Sequence, residues 1–107
     1  MATRAVITLP TAVKAGVAFE VRATVAHAME TGYRTSDEGA RLARDLVRRF
    51  ECRLDGELVF AAELFAAVSA NPYLAFWLRA SKAGELSFVW RGDNGFEHRE
   101  VRALNLA

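Results

Sequence analysis

The chain has 107 residues, 52% of them hydrophobic and 25% charged, which suits one domain with a real core and excludes a disordered chain. Its 14 Lys and Arg stand against 13 Asp and Glu, a formal net charge of +1, so the dominant basic surface of a nucleic-acid binder is not expected. The densest basic stretch, Arg41, Arg44, Arg48, Arg49 and Arg53, is itself interrupted by Asp45 and Glu51.

From the N-terminus, Ala5 to Leu9 reads as a short strand closed by Pro10, with a turn at Lys14-Ala15-Gly16. Thr8, Pro10, Thr11 and Lys14 interrupt this region too often for a signal-peptide core. No apolar run approaches the roughly 20 residues of a membrane helix, so no membrane span is expected. Phe19 to Val25 is the clearest strand. Phe19, Val21, Ala23 and Val25 alternate with Glu20, Arg22 and Thr24, the period-two pattern of a half-buried strand. Ser36 to Leu46 fits either one or two helical turns or an ordered loop. A third strand spans Val47 to Leu54, with Phe50, Cys52 and Leu54 on one face. Asp55-Gly56 is a two-residue hairpin signal, and Glu57 to Leu64 returns as the fourth strand.

Pro72 opens the fifth strand, an allowed place because a first residue need not donate to the ladder. There Leu74, Phe76 and Leu78 oppose Tyr73, Trp77 and Arg79. Glu85 to Arg91 is the sixth strand and buries Leu86, Phe88 and Trp90. Asp93-Asn94-Gly95 then turns the chain into a last strand from Phe96 to Leu104. Seven short strands joined by turn signals predict an all-β, immunoglobulin-like sandwich, one domain over residues 1–107. It is a disulfide-free version, because Cys52 stands alone.

Chemistry-bearing residues are few. Cys52 with His27 or His98 is the one available thiol–imidazole combination. A nucleophilic thiol needs an electropositive, partly exposed setting, whereas Cys52 runs in phase with Phe50 and Leu54 and is expected in the core. His27 ends the second strand and reads either as a histidine bonded to loop backbone or as a ligand or base. No second His, Cys or carboxylate pair stands at ligand spacing near it, so neither a metal nor a cofactor is expected. Glu30 could coordinate or act as a base, but alone in a loop it is more often a surface charge. The loop that follows, with Met29 and Tyr33 around Gly32, reads either as an ordinary ordered loop or as a contact surface. Loops at a sandwich end commonly carry binding. Phosphate loops, nucleophile elbows and zinc-binding helices are missing from the sequence, and no enzyme is expected.

Two segments are specific enough to carry a resemblance. One is His27-Ala28-Met29-Glu30-Thr31-Gly32-Tyr33-Arg34, followed by Arg48-Arg49-Phe50-Glu51-Cys52 and Asp55-Gly56. The other is Ser69-Ala70-Asn71-Pro72-Tyr73-Leu74-Ala75-Phe76. In this order and at this length they resemble the SoxZ family of the bacterial sulfur-oxidising system. The family pattern usually has proline at the position of Ala28 and an Ile-Pro-Arg stretch at Leu42-Ala43-Arg44; losing both prolines loosens those loops.

The resemblance implies a non-catalytic partner of the carrier protein SoxY in a SoxYZ heterodimer, both halves being immunoglobulin-like. SoxY would hold thiosulfate-derived sulfur on the cysteine of a glycine-flanked C-terminal arm and present it to other Sox enzymes, which would touch the complex transiently. It further implies a periplasmic location, reached by export bound to the partner. The chain ends Arg102-Ala103-Leu104-Asn105-Leu106-Ala107, without Cys or Gly, so it is expected to be the half without the arm. The partner-binding residues expected on this basis are Met29, Glu30, Tyr33, Arg34, Asn71 and Tyr73, with both segments at one end of the sandwich. Self-association without the partner is expected as well. Two other readings of the residues stay open: a stand-alone adhesion or ligand-binding module, and a thiol enzyme built on Cys52.

Overall fold

In the computed structural model, which describes residues 4–107, the chain forms seven strands and no α-helix among those residues. They are β1 (Ala5–Thr8), β2 (Phe19–Val25), β3 (Val47–Leu54), β4 (Glu57–Glu63), β5 (Tyr73–Leu78), β6 (Gly84–Gly92) and β7 (Glu97–Leu104). All pair antiparallel, in a three-stranded sheet of order β1-β2-β5 and a four-stranded sheet of order β4-β3-β6-β7. This is the immunoglobulin-like sandwich that the spacing of the strands predicts.

The core lies between the two sheets and follows the period of two. Phe19, Val21, Ala23 and Val25 of β2 are buried, as are Phe76 and Leu78 of β5. Facing them, Phe50 and Cys52 of β3 and Leu86, Phe88 and Trp90 of β6 are fully enclosed. The Phe50 ring is the hub: its centroid lies 5.1 Å from that of Trp90 and 5.7 Å from that of Phe76. Phe60 stacks on Phe76 at 4.1 Å, joining β4 to β5 across the sandwich. Such aromatic pairs add about 0.5–1.5 kcal/mol beyond the area they bury.

The turns form where their residues demand. Asp55 and Gly56 both take positive φ, 49° and 86°, the conformation of a type I′ hairpin turn. Asp93-Asn94-Gly95 makes a short 3-10 turn in which Asn94 has φ 59°. Gly92, just before it, passes so near β3 that a Cβ there would collide with the Leu46 carbonyl oxygen. That approach lets Asp93 latch the turn onto Leu46. Its N–H donates to the Leu46 carbonyl at 2.8 Å, and its carboxylate accepts the Leu46 N–H at 3.1 Å.

Two features depart from simple alternation. Ser36 to Leu46 is an ordered loop rather than a helix, closed by backbone bonds from Leu42 to Arg34 (2.8 Å) and between Glu30 and Asp45 (2.8 Å each way). The outward face of the four-stranded sheet is also partly covered: Glu51, Ser87 and Val89 are only 7–9% exposed. Glu51 accepts bonds from Arg49, Arg53 and Arg91, whose side chains remain partly exposed. The Arg53 hydrogen bond, acting against burial and joined by Arg91 and Arg49, holds the Glu51 carboxyl below its ordinary pKa.

Candidate functional site

The loop leaving β2 and the loop entering β5 meet, and the contact is made by hydrogen bonds. The His27 N–H donates to Asn71 Oδ1 at 2.9 Å, and the Asn71 N–H donates back to the His27 carbonyl at 2.7 Å. Asn71 takes φ 52°, a left-handed conformation that Asn tolerates better than most residues. The His27 ring is turned inward, its side chain 7% exposed. Its Nδ1 accepts the Met29 N–H at 3.0 Å, and its Nε2 faces the Asp45 carboxylate at 3.6 Å. Phe96 closes over the ring, with centroids 4.8 Å apart. His27 thus serves the loop backbone, the first of its two readings.

Met29, expected as a contact residue, is instead in the core at 5% exposure. Its sulfur accepts the Val47 N–H at 3.3 Å, filling a gap at the start of β3 as flexible thioethers do. A left-handed backbone at Met29, φ 54°, turns its side chain under the loop. Asn71 likewise has a structural duty. Glu30 and Arg34 pair with each other through two hydrogen bonds, and the Arg34 side chain is 68% exposed. Tyr33 is 80% exposed. Tyr73 is 56% exposed but lies on the outer face of β5, opposite Thr24 of β2.

Two hollows share this end of the molecule. One, of about 390 Å³, is lined by Ala28, Glu30, Thr31, Arg34 and Ala70, with Met29 beneath; it joins both signature segments. The other, of about 320 Å³, runs between Tyr33 and Phe65 and has Arg44, Arg48, Leu46 and Leu64 along it. Thr31 borders both, and Tyr73 lines neither. Phe65 is 64% exposed, an outward aromatic missed in the sequence. Continuing the alternation of Phe60, Ala62 and Leu64 by one residue would have pointed to it. Arg44 and Arg48 share the single carboxylate of Asp93, at 3.1 and 3.6 Å. Burial raises the Asp93 pKa, but the Leu46 N–H and the two arginines outweigh it and leave it lowered. Two cations on one anion leave positive charge beside the aromatic pair.

Cys52 is fully buried, and burial pushes its thiol up to about 12. A thiol so held lacks the electropositive, partly exposed setting of a nucleophile, which counts against the thiol-enzyme reading. Among the described residues no cluster of three or more His, Cys, Asp or Glu side chains is placed to hold a metal ion. This end of the sandwich presents two exposed aromatics, a paired Glu30–Arg34 and two arginines.

The fold is shared with several solved proteins. Superoxide reductase (neelaredoxin) from Ignicoccus hospitalis superposes with a TM-score of 0.75 at 19% identity, covering 98% of this chain and 82% of that one. The sulfur carrier protein SoxY from Chlorobium limicola f thiosulfatophilum gives 0.65 at 14% identity, over 95% and 74%. A superoxide reductase-like protein from Thermotoga maritima gives 0.66 at 15%, over 96% and 85%. At these identities the likeness carries the fold alone. No curated protein matches the sequence. The model of the family described as sulphur oxidation protein SoxZ matches residues 7–102, nearly the whole sandwich with both signature loops, and the chain belongs to the SoxZ family.

Proposed function

We propose that this protein is a non-catalytic scaffold subunit that binds a SoxY carrier protein as a heterodimer. The family match over residues 7–102 carries the reading. In it, thiosulfate-derived sulfur rides on the SoxY cysteine while this chain holds the carrier and offers its loops to visiting Sox enzymes. The complex works in the periplasm, which the chain reaches bound to its partner. Burial of Cys52 supports a role without covalent chemistry on this subunit.

The loop end supplies the contact groups. Tyr33 and Phe65 are large and exposed, and backbone bonds from Leu42 to Arg34, from Leu64 to Arg48 and from Val68 to Phe65 fasten the loops that carry them, so docking against them orders little that is not already ordered. Glu30, Arg34, Arg44 and Arg48 form the charged surroundings that orient a partner. Co-expression with a SoxY-like chain, followed by size exclusion, is expected to give a 1:1 complex. Tyr33→Ala combined with Phe65→Ala is expected to weaken association by at least about 1 kcal/mol, roughly fivefold in Kd. A folded chain that ignores the carrier at micromolar concentration would overturn the reading.

A further inference from the structure

We propose that the outer edge of β5 pairs with the same strand of a second copy, antiparallel and centred on Ala75. Four strands border the two sheets, and three are defended against such pairing. β1 has only four residues. β4 begins and ends with Glu57 and Glu63, and a bulge between Cys52 and Arg53 breaks the register of its ladder. β7 carries Glu97, His98, Arg99, Glu100 and Arg102 among its eight residues. Short length, bulges and charge are the usual protections of a sheet edge. β5 has none of them. It reads Tyr-Leu-Ala-Phe-Trp-Leu, without charge or proline, in unbroken register with β2, and no other described strand pairs with it.

The register follows from which backbone groups are free. The Val25 N–H donates to the Pro72 carbonyl at 3.4 Å. Hydrogen-bonded positions alternate along an antiparallel strand, so Pro72, Leu74, Phe76 and Leu78 turn their backbone toward β2. Tyr73, Ala75 and Trp77 turn theirs outward. Across a two-fold axis at Ala75, Tyr73 meets Trp77 of the second copy, Ala75 meets Ala75, and Trp77 meets Tyr73. Among the described residues nothing pairs with the N–H and C=O groups of these three positions, so each pair exchanges two hydrogen bonds. Their side chains share the outer face, where Tyr73 is 56% and Trp77 64% exposed. Each aromatic ring then covers its counterpart on the second copy, and the small Ala75 lets the strands close at the axis. On the inner face the same register sets Leu74 beside Phe76. The strand is complementary to itself, which selects a second copy over an unrelated one as the occupant.

The test uses the chain alone, so its result is independent of the SoxY reading. Sedimentation equilibrium is expected to show a species of twice 11.8 kDa. Ala75→Lys sets two ammonium groups at the axis and is expected to raise the dimer Kd by roughly tenfold or more. It leaves the exposed position folded, as an unchanged thermal melt would show. In Ala75→Cys the paired Cα atoms would stand about 5.5 Å apart, within disulfide range, and mild oxidation is expected to cross-link the dimer; Cys52 is buried and does not compete. A wild-type monomer at sub-millimolar concentration overturns the proposal. So does a folded Ala75→Lys dimer of unchanged affinity, or a dimer that Ala75→Cys fails to cross-link.

Discussion

Met29 and Cys52 show how far a side chain's direction decides its role. Both carry sulfur, and both end inside the sandwich at 5% and 0% exposure. Truncating Met29 to Ala empties a core site and removes the acceptor of the Val47 N–H, so a loss of about 2–5 kcal/mol is expected on chemical denaturation. Tyr33→Ala, at a position 80% exposed, is expected to change stability by less than about 0.5 kcal/mol. The two substitutions thus separate folding from binding, which a double variant would confuse. Equal stability losses at the two positions would contradict this division. For Cys52, Ser in its place is expected to cost about 1–3 kcal/mol, because the hydroxyl has no partner in that apolar site. Iodoacetamide at mildly alkaline pH is expected to leave the native thiol unmodified while labelling the unfolded chain. Rapid labelling of folded protein would show that the thiol is accessible after all.

Among the elements, the junction between the β2 exit and the β5 entrance has the clearest energetic signature. The bond from His27 N–H to Asn71 Oδ1 spans 44 positions and fastens the two loops to each other. Asn71→Ala removes the acceptor and puts at φ 52° a residue that tolerates the left-handed region less well than Asn. Asn71→Gly removes the acceptor but relieves the backbone. The alanine variant is expected to lose about 1–3 kcal/mol and the glycine variant less, with neither reaching wild-type stability. Thermal melts of the pair read both contributions. Full recovery in Asn71→Gly would mean that the hydrogen bond contributes nothing.

For the whole molecule, the pH dependence of stability rests on carboxylates held among arginines. Glu51, Asp93 and Glu100 are all lowered from their ordinary pKa: Glu51 by Arg53 first, Asp93 by the Leu46 N–H and Arg44 against its burial, and Glu100 by His98 and then Arg102. A carboxyl with a depressed folded pKa binds fewer protons folded than unfolded. Its contribution is present above the ordinary carboxylate range and is lost as pH falls through that range toward the folded value. The denaturation midpoint is therefore expected to hold from neutral pH to about 5 and to decline toward about pH 3. The decline should be shallower in Glu51→Gln, which is also less stable at neutral pH because three arginines lose their shared anion. A midpoint flat down to about pH 3 would mean these pairs are screened by solvent.

The alternation of apolar residues and the turn pairs Asp55-Gly56 and Asp93-Asn94-Gly95 located all seven strands to within a residue or two, and they assigned the inward faces of β2, β3, β5 and β6. These are local properties: side chains alternate along any extended backbone, and turn residues act on their own φ and ψ. The two signature segments were equally legible and named the family. What they could not carry was direction outside the strands. Met29 looked like a contact residue because its partner, Val47, lies 18 positions away. Phe65 went unnoticed because its exposure matters only beside Tyr33 and the arginines around Asp93. The assignment of strands to two sheets, the shielding of Glu51 and the unprotected edge of β5 were decided by tertiary structure. Each depends on pairings between distant segments, which no local period encodes.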